Sequence, residues 1–361
     1  MEHAVIQESL PANTCKNLQT PLVLLMTTKH MGNLLVSLHC LQIIVSASRG
    51  QSLLIVDERY RDIIESVADM GRVLYYPRRQ LKTASLAVKA RLLYSFYRQL
   101  RQHQAKLLLD FDGQGQAATI TQLSGVATRI GPTDARRGKG VYTQLLSNSE
   151  RQHHRFKDYA LYPEILLGQS AEPQYPELKS ETWHRDNLQA ILQPQGIDLA
   201  RPYTCIHAGA TKTYKRWPAE YYANIADWLA KHKQQVVFIG SGASDTQRTA
   251  EILEQCEQAH IDLCNQLSIR QLITLFQTCD LFLGNDSGPM HLAAAANAEV
   301  YAIFGPTDEA RWGPLGNKAK VIRNSVPCEK SCSKKFCPVG HRCINTLRPE
   351  AVKAALQAYA V

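Results

Sequence analysis

The sequence predicts an α/β protein made of two Rossmann-like domains with parallel sheets. Its 361 residues exceed what one ordinary hydrophobic core holds. Apolar residues make up 45% of the chain and charged residues 20%, which is the balance of a globular protein. Short apolar runs alternate with helical patterns in both halves, and this alternation is typical of parallel strands joined by right-handed crossovers.

The first half opens with a strand, a polar loop and a helix. The apolar run Leu22–Met26 has the length of a buried strand, residues 27–33 are polar, and a helical apolar pattern starts at Leu34. Further strands are predicted at 52–56 and 107–110. We assign 1–20 to an irregular N-terminal extension and 21–180 to the first domain.

The second half repeats the alternation after a linker. Mixed polar composition with several prolines marks the connection, which we place at 181–200. We assign 201–345 to the second domain and 346–361 to a C-terminal helix. Within the second domain, strands are predicted at Tyr203–His207, 235–240, 280–284 and Val300–Phe304, and helices at 218–232, 246–255, Ile269–Thr278 and 287–296.

The net charge of +9 favours an anionic partner. Nucleic acid, an anionic membrane and a phosphorylated substrate all satisfy this charge, as does ordinary solubility. No helix-turn-helix, zinc-finger or aromatic-rich sheet motif supports nucleic-acid binding, and no Gly-x-Gly-x-x-Gly follows a strand as in a nicotinamide-dependent oxidoreductase. The sequence has no apolar run long enough to span a bilayer and no secretory signal pattern, which predicts a cytosolic protein.

One motif places a helix start directly after a buried strand. An apolar run leads into Asn285-Asp286-Ser287-Gly288, and an alanine-rich helix follows at once. The free N–H groups and the positive dipole end of such a helix bind anions, and Gly288 lets a phosphate approach the backbone. Two interpretations stay open, because Asp286 and Ser287 are suited either to ligand binding or to capping the helix.

A second motif is the basic loop 207–218, which also leaves a strand end. Lys212, Lys215 and Arg216 lie in it beside the hydroxyl groups of Thr211 and Thr213. Lysine charge and hydroxyl hydrogen bonds suit a diphosphate. The alternative is a solvated basic loop in which Trp217-Pro218 only anchors the next helix.

These segments resemble glycosyltransferase family 9, the ADP-heptose:lipopolysaccharide heptosyltransferases. The resemblance rests on Lys-Arg-Trp-Pro at 215–218, the strand and loop at 235–241, Asn-Asp-Ser-Gly-Pro-Met-His at 285–291, Phe-Gly-Pro-Thr at 304–307, and the cysteine spacing of the tail. It covers about residues 21–360 and is more specific in the second half. It implies a GT-B fold, in which two Rossmann-like domains face a cleft, the first binding the acceptor and the second the ADP-sugar.

The resemblance also implies a reaction and its residues. The reaction is an inverting transfer of heptose from ADP-heptose to Kdo or heptose of the inner lipopolysaccharide core, with no cofactor required. The implied catalytic positions are Asn33, Lys215 and Asp286. The implied donor-binding residues are Thr211, Thr213, Lys215, Asp245, Asp286, Ser287, Gly288 and His291. The residues assigned to the acidic acceptor are Lys29, His30, Arg61, Asp112 and Arg136.

The first loop departs from the family pattern. The family normally has Leu-Gly-Asp there, with the aspartate as the proposed base, whereas this chain has Met31-Gly32-Asn33. Asparagine cannot accept a proton at neutral pH. Three alternatives follow: another base such as His30, Asp110 or Asp112; an enzyme slowed by about 10²–10⁴; or a paralogue that has another acceptor or only binds. The intact second half favours an active enzyme with an altered base.

The stretch 78–106 is basic and interleaved with apolar residues. It is suited to an anionic inner-membrane surface on the cytoplasmic side, where each cation contributes about 1 kcal/mol. The lipid-linked acceptor that the resemblance implies supports this peripheral association. A solvated helix face over a core stripe is the alternative.

A cysteine cluster lies near the C-terminus. The spacing of Cys328, Cys332, Cys337 and Cys343 allows a structural zinc or iron ion. Reduced thiols and labile disulfides are the alternatives. The predicted catalysis does not need this metal, because cationic side chains and a helix dipole can stabilise the leaving group.

Overall fold

The computed structural model describes residues 20–133, 135, 139–146, 153–179, 182–326 and 337–359. The chain divides into two compact units, Met1–Glu177 and Leu178–Val361. Both units have the predicted α/β architecture with parallel sheets, so the predicted fold class is confirmed.

The first unit alternates strands with helices. Its strands are β1 (Leu22–Met26), β2 (Ser52–Asp57), β3 (Arg72–Tyr76), β4 (Leu107–Asp110), β5 (Thr128–Pro132) and β6 (Gln144–Leu146). Its helices are α1 (Met31–Ala47), α2 (Arg61–Ser66), α3 (Arg78–Thr83), α4 (Leu86–Gln102), α5 (Gly115–Leu123) and α6 (Arg155–Leu167). The strands pair in the order β3-β2-β1-β4-β5-β6, all parallel.

The second unit repeats this plan. Its strands are β7 (Tyr203–His207), β8 (Gln235–Phe238), β9 (Ile261–Asp262), β10 (Leu281–Asn285), β11 (Val300–Phe304) and β12 (Ala319–Arg323). Its helices are α7 (Thr182–Leu192), α8 (Ala219–Lys231), α9 (Ala243–Leu253), α10 (Ile269–Thr278), α11 (Gly288–Ala295), α12 (Glu309–Trp312), α13 (Arg342–Asn345) and α14 (Pro349–Ala355). The parallel strands pair in the order β12-β11-β10-β7-β8-β9.

Each sheet has a topological switch point at its centre. The strand order reverses between β1 and β4 in the first unit and between β7 and β10 in the second. Ligands of open α/β sheets bind outside the carboxyl ends of the strands at such points. The loops that follow these four strands are therefore where a site is expected in each unit.

The central strands are continuous apolar runs because helices cover both faces of a parallel sheet. Every residue of β1 is fully buried, and β10 and β11 are buried along their whole lengths. Trp217, at the end of the basic loop, is fully buried in the second core. Its indole N–H donates to the Leu347 carbonyl at 2.8 Å, so the loop is anchored next to the C-terminal segment.

Two predicted segments look different in the structure. Helix α7 occupies part of the predicted linker 181–200, because Leu188 and Leu192, one helical turn apart, are fully buried in the second unit. In the described part of the predicted helix 346–361, the short α14 packs Val352 into the core and a 3-10 turn follows at Gln357–Tyr359. The predicted extension 1–20 lies outside the described residues except for its last residue.

Candidate functional site

In the second unit, two loops come together beyond the switch point. Residues 208–217 follow β7, residues 286–287 follow β10, and the two strands pair in register with Gly284 opposite His207. Asn285 holds the two loops together. Its side-chain oxygen accepts from the Trp217 backbone N–H at 3.1 Å, and its amide nitrogen donates to the Ala208 carbonyl at 2.8 Å. Asn285 is fully buried, so these bonds fix one loop against the other.

Lys215 and Asp286 form an ion pair across these loops. The Lys215 ammonium lies 2.6 Å from an Asp286 carboxylate oxygen. The Asp286 side chain is 9% exposed and that of Lys215 is 24% exposed, so water screens the pair only in part. The two residues predicted as catalytic in this unit are therefore in direct contact.

Ser287 is the residue that precedes helix α11, but its hydroxyl makes no capping hydrogen bond in the described part of the chain. It lies instead 3.0 Å from Nδ1 of His207. Asp286 turns to Lys215, so the capping alternative holds for neither side chain. The first N–H groups of α11, which begins at Gly288, face the switch point without a side-chain cap.

His207 connects Ser287 to Asp245. Its second ring nitrogen, Nε2, lies 3.3 Å from Asp245 Oδ2, which also accepts from the Ser241 backbone N–H at 3.0 Å. Burial opposes ionisation of Asp245, but the bond and charge of His207 and the Ser241 N–H outweigh it and lower the pKa of Asp245. A Cβ on Gly209 would lie 2.2 Å from Asp245 Oδ1, so only glycine lets the basic loop pass this carboxylate.

The other predicted donor-binding residues lie on the basic loop and on α11. Thr211 and Thr213 are exposed and line a pocket of about 520 Å³ whose other wall includes His341 and Asn345. His291 is buried on α11. Arg216 is not directed to solvent, since it donates to the Ala210 carbonyl and to the Ser244 hydroxyl.

In the first unit, three hydrogen bonds hold the loop between β1 and α1 in place. Arg78 donates to the Thr27 carbonyl at 2.6 Å, and the Tyr60 hydroxyl donates to the Lys29 carbonyl at 2.8 Å. The Thr28 hydroxyl accepts from the His30 backbone N–H at 3.2 Å. Arg78 is itself held by the buried Asp57.

Asn33 sits in the first turn of α1. It is half-buried, and this turn contains no acidic residue. A carboxylate would be favoured there by the helix dipole, so the departure removes the one acid that the local backbone would stabilise.

Two buried carboxyl groups lie at the end of β4, at the same edge of the sheet: Asp110 is its last residue and Asp112 follows it. Asp110 Oδ1 accepts from the backbone N–H groups of Asp112 and Gly113 at 2.8 and 3.1 Å, and its other oxygen accepts from the Tyr142 hydroxyl. Burial raises the pKa of Asp110 to about 6 despite these bonds. Asp112 is 5% exposed, and within the described chain neither of its carboxyl oxygens has a hydrogen-bond partner.

The other predicted acceptor residues lie near this edge. Lys29 and His30 are exposed on the β1–α1 loop. Arg61 begins α2, where it lies 3.3 Å from Glu65 and stacks over the Tyr75 ring. Arg136 lies outside the described residues. Their binding of an acceptor stays a prediction.

The structural metal also stays a prediction. Cys337 and Cys343 lie in the described part of the chain, whereas Cys328 and Cys332 lie outside it. A different cluster, Asp227 with Cys256 and His260, brings three ligand types together. Its Asp227 carboxylate is occupied by His260 at 2.9 Å and by two backbone N–H groups, which marks it as a structural cap.

Several residues of these sites were not singled out from the sequence. Asn285, His207, Tyr142 and Arg78 act on partners that are distant in the chain. His207 and Asn285 fall in the recognised motifs and Arg78 in the basic stretch 78–106, but none of them was given its present role. Among the described residues, no helix is both long and apolar enough to cross a membrane.

Two Rossmann-like units with polar loops at their switch points define the GT-B class of glycosyltransferases. The chain belongs to glycosyltransferase family 9 (heptosyltransferase), whose sequence profile matches residues 93–341. The resemblance stated from the sequence motifs is therefore confirmed.

Three known proteins illustrate the similarity. The chain is 36% identical to lipooligosaccharide heptosyltransferase 2 of Campylobacter jejuni over 143 residues, which are 38% of this chain and 44% of that relative. The match thus spans less than half of that relative's length. The crystal structure of a glycosyl transferase family 9 protein from Veillonella parvula has a TM-score of 0.80 at 18% identity and covers 95% of this chain and 98% of its own. Escherichia coli ADP-heptose lipopolysaccharide heptosyltransferase II has a TM-score of 0.73 at 19% identity, with coverages of 94% and 98%. At these identities the two structures establish the shared fold.

Proposed function

We propose that this chain transfers heptose from ADP-heptose to the inner core of lipopolysaccharide, to Kdo or to a heptose, with inversion at the anomeric carbon. The observation that carries the proposal is the site where Lys215 pairs with Asp286 beside the uncapped start of α11. The similar proteins support its two substrates, since one is a lipooligosaccharide heptosyltransferase and another an ADP-heptose lipopolysaccharide heptosyltransferase.

The donor half fits the charge that the reaction develops. As the bond between the sugar and the diphosphate breaks, negative charge builds up on the ADP oxygens. The Lys215 ammonium and the N–H groups of α11 are preorganised to stabilise that charge. Asp286 holds the ammonium in place, and its carboxylate is suited to accept a hydrogen bond from a hydroxyl of the transferred sugar.

The acceptor half is proposed at the switch point of the first unit. Exposed Lys29 and His30 and the rigid β1–α1 loop offer cations and hydrogen bonds to an acidic core sugar. The acceptor hydroxyl attacks the anomeric carbon on the face opposite to ADP, which gives inversion, and its proton goes to a base of the protein.

Release of ADP from ADP-heptose, with heptose-deficient lipopolysaccharide as acceptor, tests the proposal. Acceptor-dependent release supports heptosyl transfer. If the purified chain binds ADP-heptose by calorimetry but releases no ADP, it is a binding paralogue or uses another acceptor. If it binds no ADP-heptose, its donor is another nucleotide sugar. Neither result is compatible with the proposed reaction.

We also propose that α4 places the enzyme on the cytoplasmic face of the inner membrane. Phe96 and Leu100 of α4 are buried, which accounts for the core stripe. Leu86 and Tyr94 are nevertheless 85% and 69% exposed. Exposed Lys82 lies in the last turn of α3, shortly before Leu86, and exposed Arg91 and Arg98 lie one turn on either side of Tyr94. Apolar side chains among cations are the composition of a helix that lies in an anionic lipid interface.

Vesicle sedimentation tests this association. The protein should bind vesicles rich in phosphatidylglycerol more strongly than phosphatidylcholine vesicles, and less strongly at high salt. The double variant Leu86→Ser/Tyr94→Ser should lose most of that binding, whereas Val339→Ser, which changes an exposed apolar residue of the other unit, should not. Equal binding by all three proteins would contradict the proposal.

A further inference from the structure

Any transfer to a sugar hydroxyl requires a group that takes the hydroxyl proton. The amide of Asn33 cannot do so, and the first turn of α1 contains no acid. The candidate proton acceptors on the loops at this edge of the first sheet are His30, Asp110 and Asp112. The carboxyl group of Asp57, which ends β2, is already paired with Arg59 and Arg78. The carboxyl groups of Asp110 and Asp112 differ in their hydrogen bonds.

Asp110 is engaged in holding the fold. It is fully buried, and its oxygens accept from two backbone N–H groups and from the Tyr142 hydroxyl. Tyr142 lies over Gly131, where a Cβ would come within 2.4 Å of the ring. These bonds close the β4–α5 loop and occupy both oxygens of Asp110, so this carboxyl group is a poor proton acceptor.

Asp112 is equally buried but has no such bonds. Neither oxygen has a partner among the described residues, although the Thr28 hydroxyl is near enough to favour the charged form. Two arginines lie close to Asp112, but Arg78 is paired with Asp57 and Arg155 is paired with Asp158 at 2.7 Å. Asp112 therefore lacks a counter-ion of its own.

Such a group is costly to keep. A buried polar group without a partner destabilises a fold, and carboxyl groups in such surroundings cluster at functional sites. Asp112 also lies at the right place. The β1–β4 pairing continues past Asp110, since the Phe111 N–H donates to the Leu25 carbonyl at 2.9 Å, and this puts Asp112 beside the loop that leads to Asn33.

We propose that Asp112 is the general base that accepts the proton of the acceptor hydroxyl, in place of the acid absent at position 33. This inference rests on the proposed transferase function. The acceptor oxygen forms a bond to the anomeric carbon while the bond from that carbon to the diphosphate oxygen breaks. The electron pair leaves with ADP, the hydroxyl proton moves to Asp112, and water removes it after release of the product.

The surroundings of Asp112 define the expected pH dependence. Burial and the charge of Asp110 raise the pKa of Asp112 to about 8, against the opposing effects of Thr28, Arg78 and Arg155. The charged and titratable groups that face it are Asp110, Arg78, Arg155, Tyr142 and Tyr159. Only the ionised form accepts a proton, so kcat/KM for the acceptor should rise with pH up to about pH 8 and then level off.

The first experiment needs no variant. Acceptor-dependent ADP release is measured from pH 5 to 10 with the full chain. A limb near pH 8 supports Asp112. A limb near pH 6–6.5 would point to His30, whose residue type ordinarily titrates near 6.5, or to Asp110, and either assignment would overturn the inference. Failure of the wild-type protein to release ADP at any pH would contradict the transferase proposal itself, and it is recognised before any variant is made.

The second experiment replaces the carboxyl group. Asp112→Asn should lower kcat by about 10²–10⁴, remove the limb near pH 8, and leave ADP-heptose binding by calorimetry unchanged. Asp69→Asn, an exposed site with φ of 57° that asparagine adopts readily, is the matched control and should keep full activity. Full activity in Asp112→Asn would overturn the inference.

A third variant separates loss of the base from loss of structure. Asn33→Asp restores an acid in the first turn of α1, where the dipole keeps it ionised. Asn33→Asp combined with Asp112→Asn should regain transfer that no longer depends on a group titrating near pH 8. If the double variant stays as slow as Asp112→Asn while folding and binding donor normally, Asp112 does not act by taking the proton, and the inference fails.

Discussion

The Lys215 ammonium and the Asp286 carboxylate lie 2.6 Å apart although 71 residues separate them in the chain. Their contact follows from the pairing of β7 with β10, because each residue belongs to the loop that leaves one of these neighbouring strands. The charge of the ammonium group is thus paired with a carboxylate when no ligand is bound. A diphosphate that enters the site must share Lys215 with Asp286, which ties donor binding to the geometry of the ion pair.

The first prediction concerns this pair. Lys215→Ala should lower kcat for transfer by about 10²–10³, because a cation that stabilises the leaving group is removed from a partly desolvated site. Asp286→Ala should have an effect of similar size because the ammonium loses its anchor. Lys231→Ala is the control, since it breaks an exposed pair with Glu257 at 3.0 Å and should leave kcat unchanged. Near-normal rates in both site variants would show that the site assignment is wrong.

The second prediction concerns His207, which bonds to Ser287 and Asp245 at once. His207→Ala should weaken ADP binding about tenfold, equivalent to ~1.4 kcal/mol, because the residue at the start of α11 loses its support. Titration calorimetry with ADP measures the change. His232→Ala serves as control because its ring bonds only the Trp228 carbonyl of the same helical end at 2.8 Å among the bonds described. Unaltered affinity in His207→Ala would mean that this network does not shape the donor site.

The third prediction concerns Asn285, whose side chain joins the basic loop to β10. Asn285→Ala should destabilise the protein by about 2–3 kcal/mol, because it leaves the Trp217 N–H and the Ala208 carbonyl buried without a partner. Urea denaturation followed by tryptophan fluorescence measures this change. Asn324→Ala removes one part-buried bond to Thr346 and should cost less than about 1 kcal/mol. Similar losses in the two variants would argue against a special role for Asn285.

Much of the fold was predictable because the central strands are long apolar runs. β1, β4, β7 and β11 have the bounds expected from the sequence. Edge elements were not predicted, since β9 has only two residues and gains its order from pairing with β8. Helix α7 also forms because of tertiary packing rather than local pattern. The prolines on either side of it led to the prediction of a linker.

The residues of the site, like the elements of the fold, were predictable in part. Motifs after β7 and β10 identified Lys215 and Asp286 because residues at the ends of neighbouring parallel strands converge. The isolation of Asp112 was not predictable, because it depends on Arg78 and Arg155 being occupied by other carboxylates. The bridge from His207 to Asp245 depends on contacts between β7 and α9 that no local spacing encodes.

The fourth prediction tests the buried charge of Asp112 through stability alone. Its pKa is raised to about 8 in the folded protein, from 3.8. Between about pH 4 and pH 8 the folded state keeps a proton that the unfolded chain has lost. The free energy of unfolding therefore falls as the pH rises through this range. Asp112→Asn avoids the loss, so its Tm should match the wild type near pH 4 and exceed it by several degrees at pH 9.

Scanning calorimetry at pH 4, 6.5 and 9 measures this difference, and about 1 kcal/mol corresponds to roughly 2–4 °C for a unit of this size. The Asp69→Asn protein should follow the wild type at every pH, because its exposed carboxylate is solvated in both states. A variant that is less stable than the wild type at pH 9 would show that the Asp112 carboxylate is satisfied when charged. An Asp112→Asn enzyme that is more stable but slower is the pattern expected of a catalytic residue. The buried carboxyl group would then lower the stability of the fold while its proton-accepting role raises the rate.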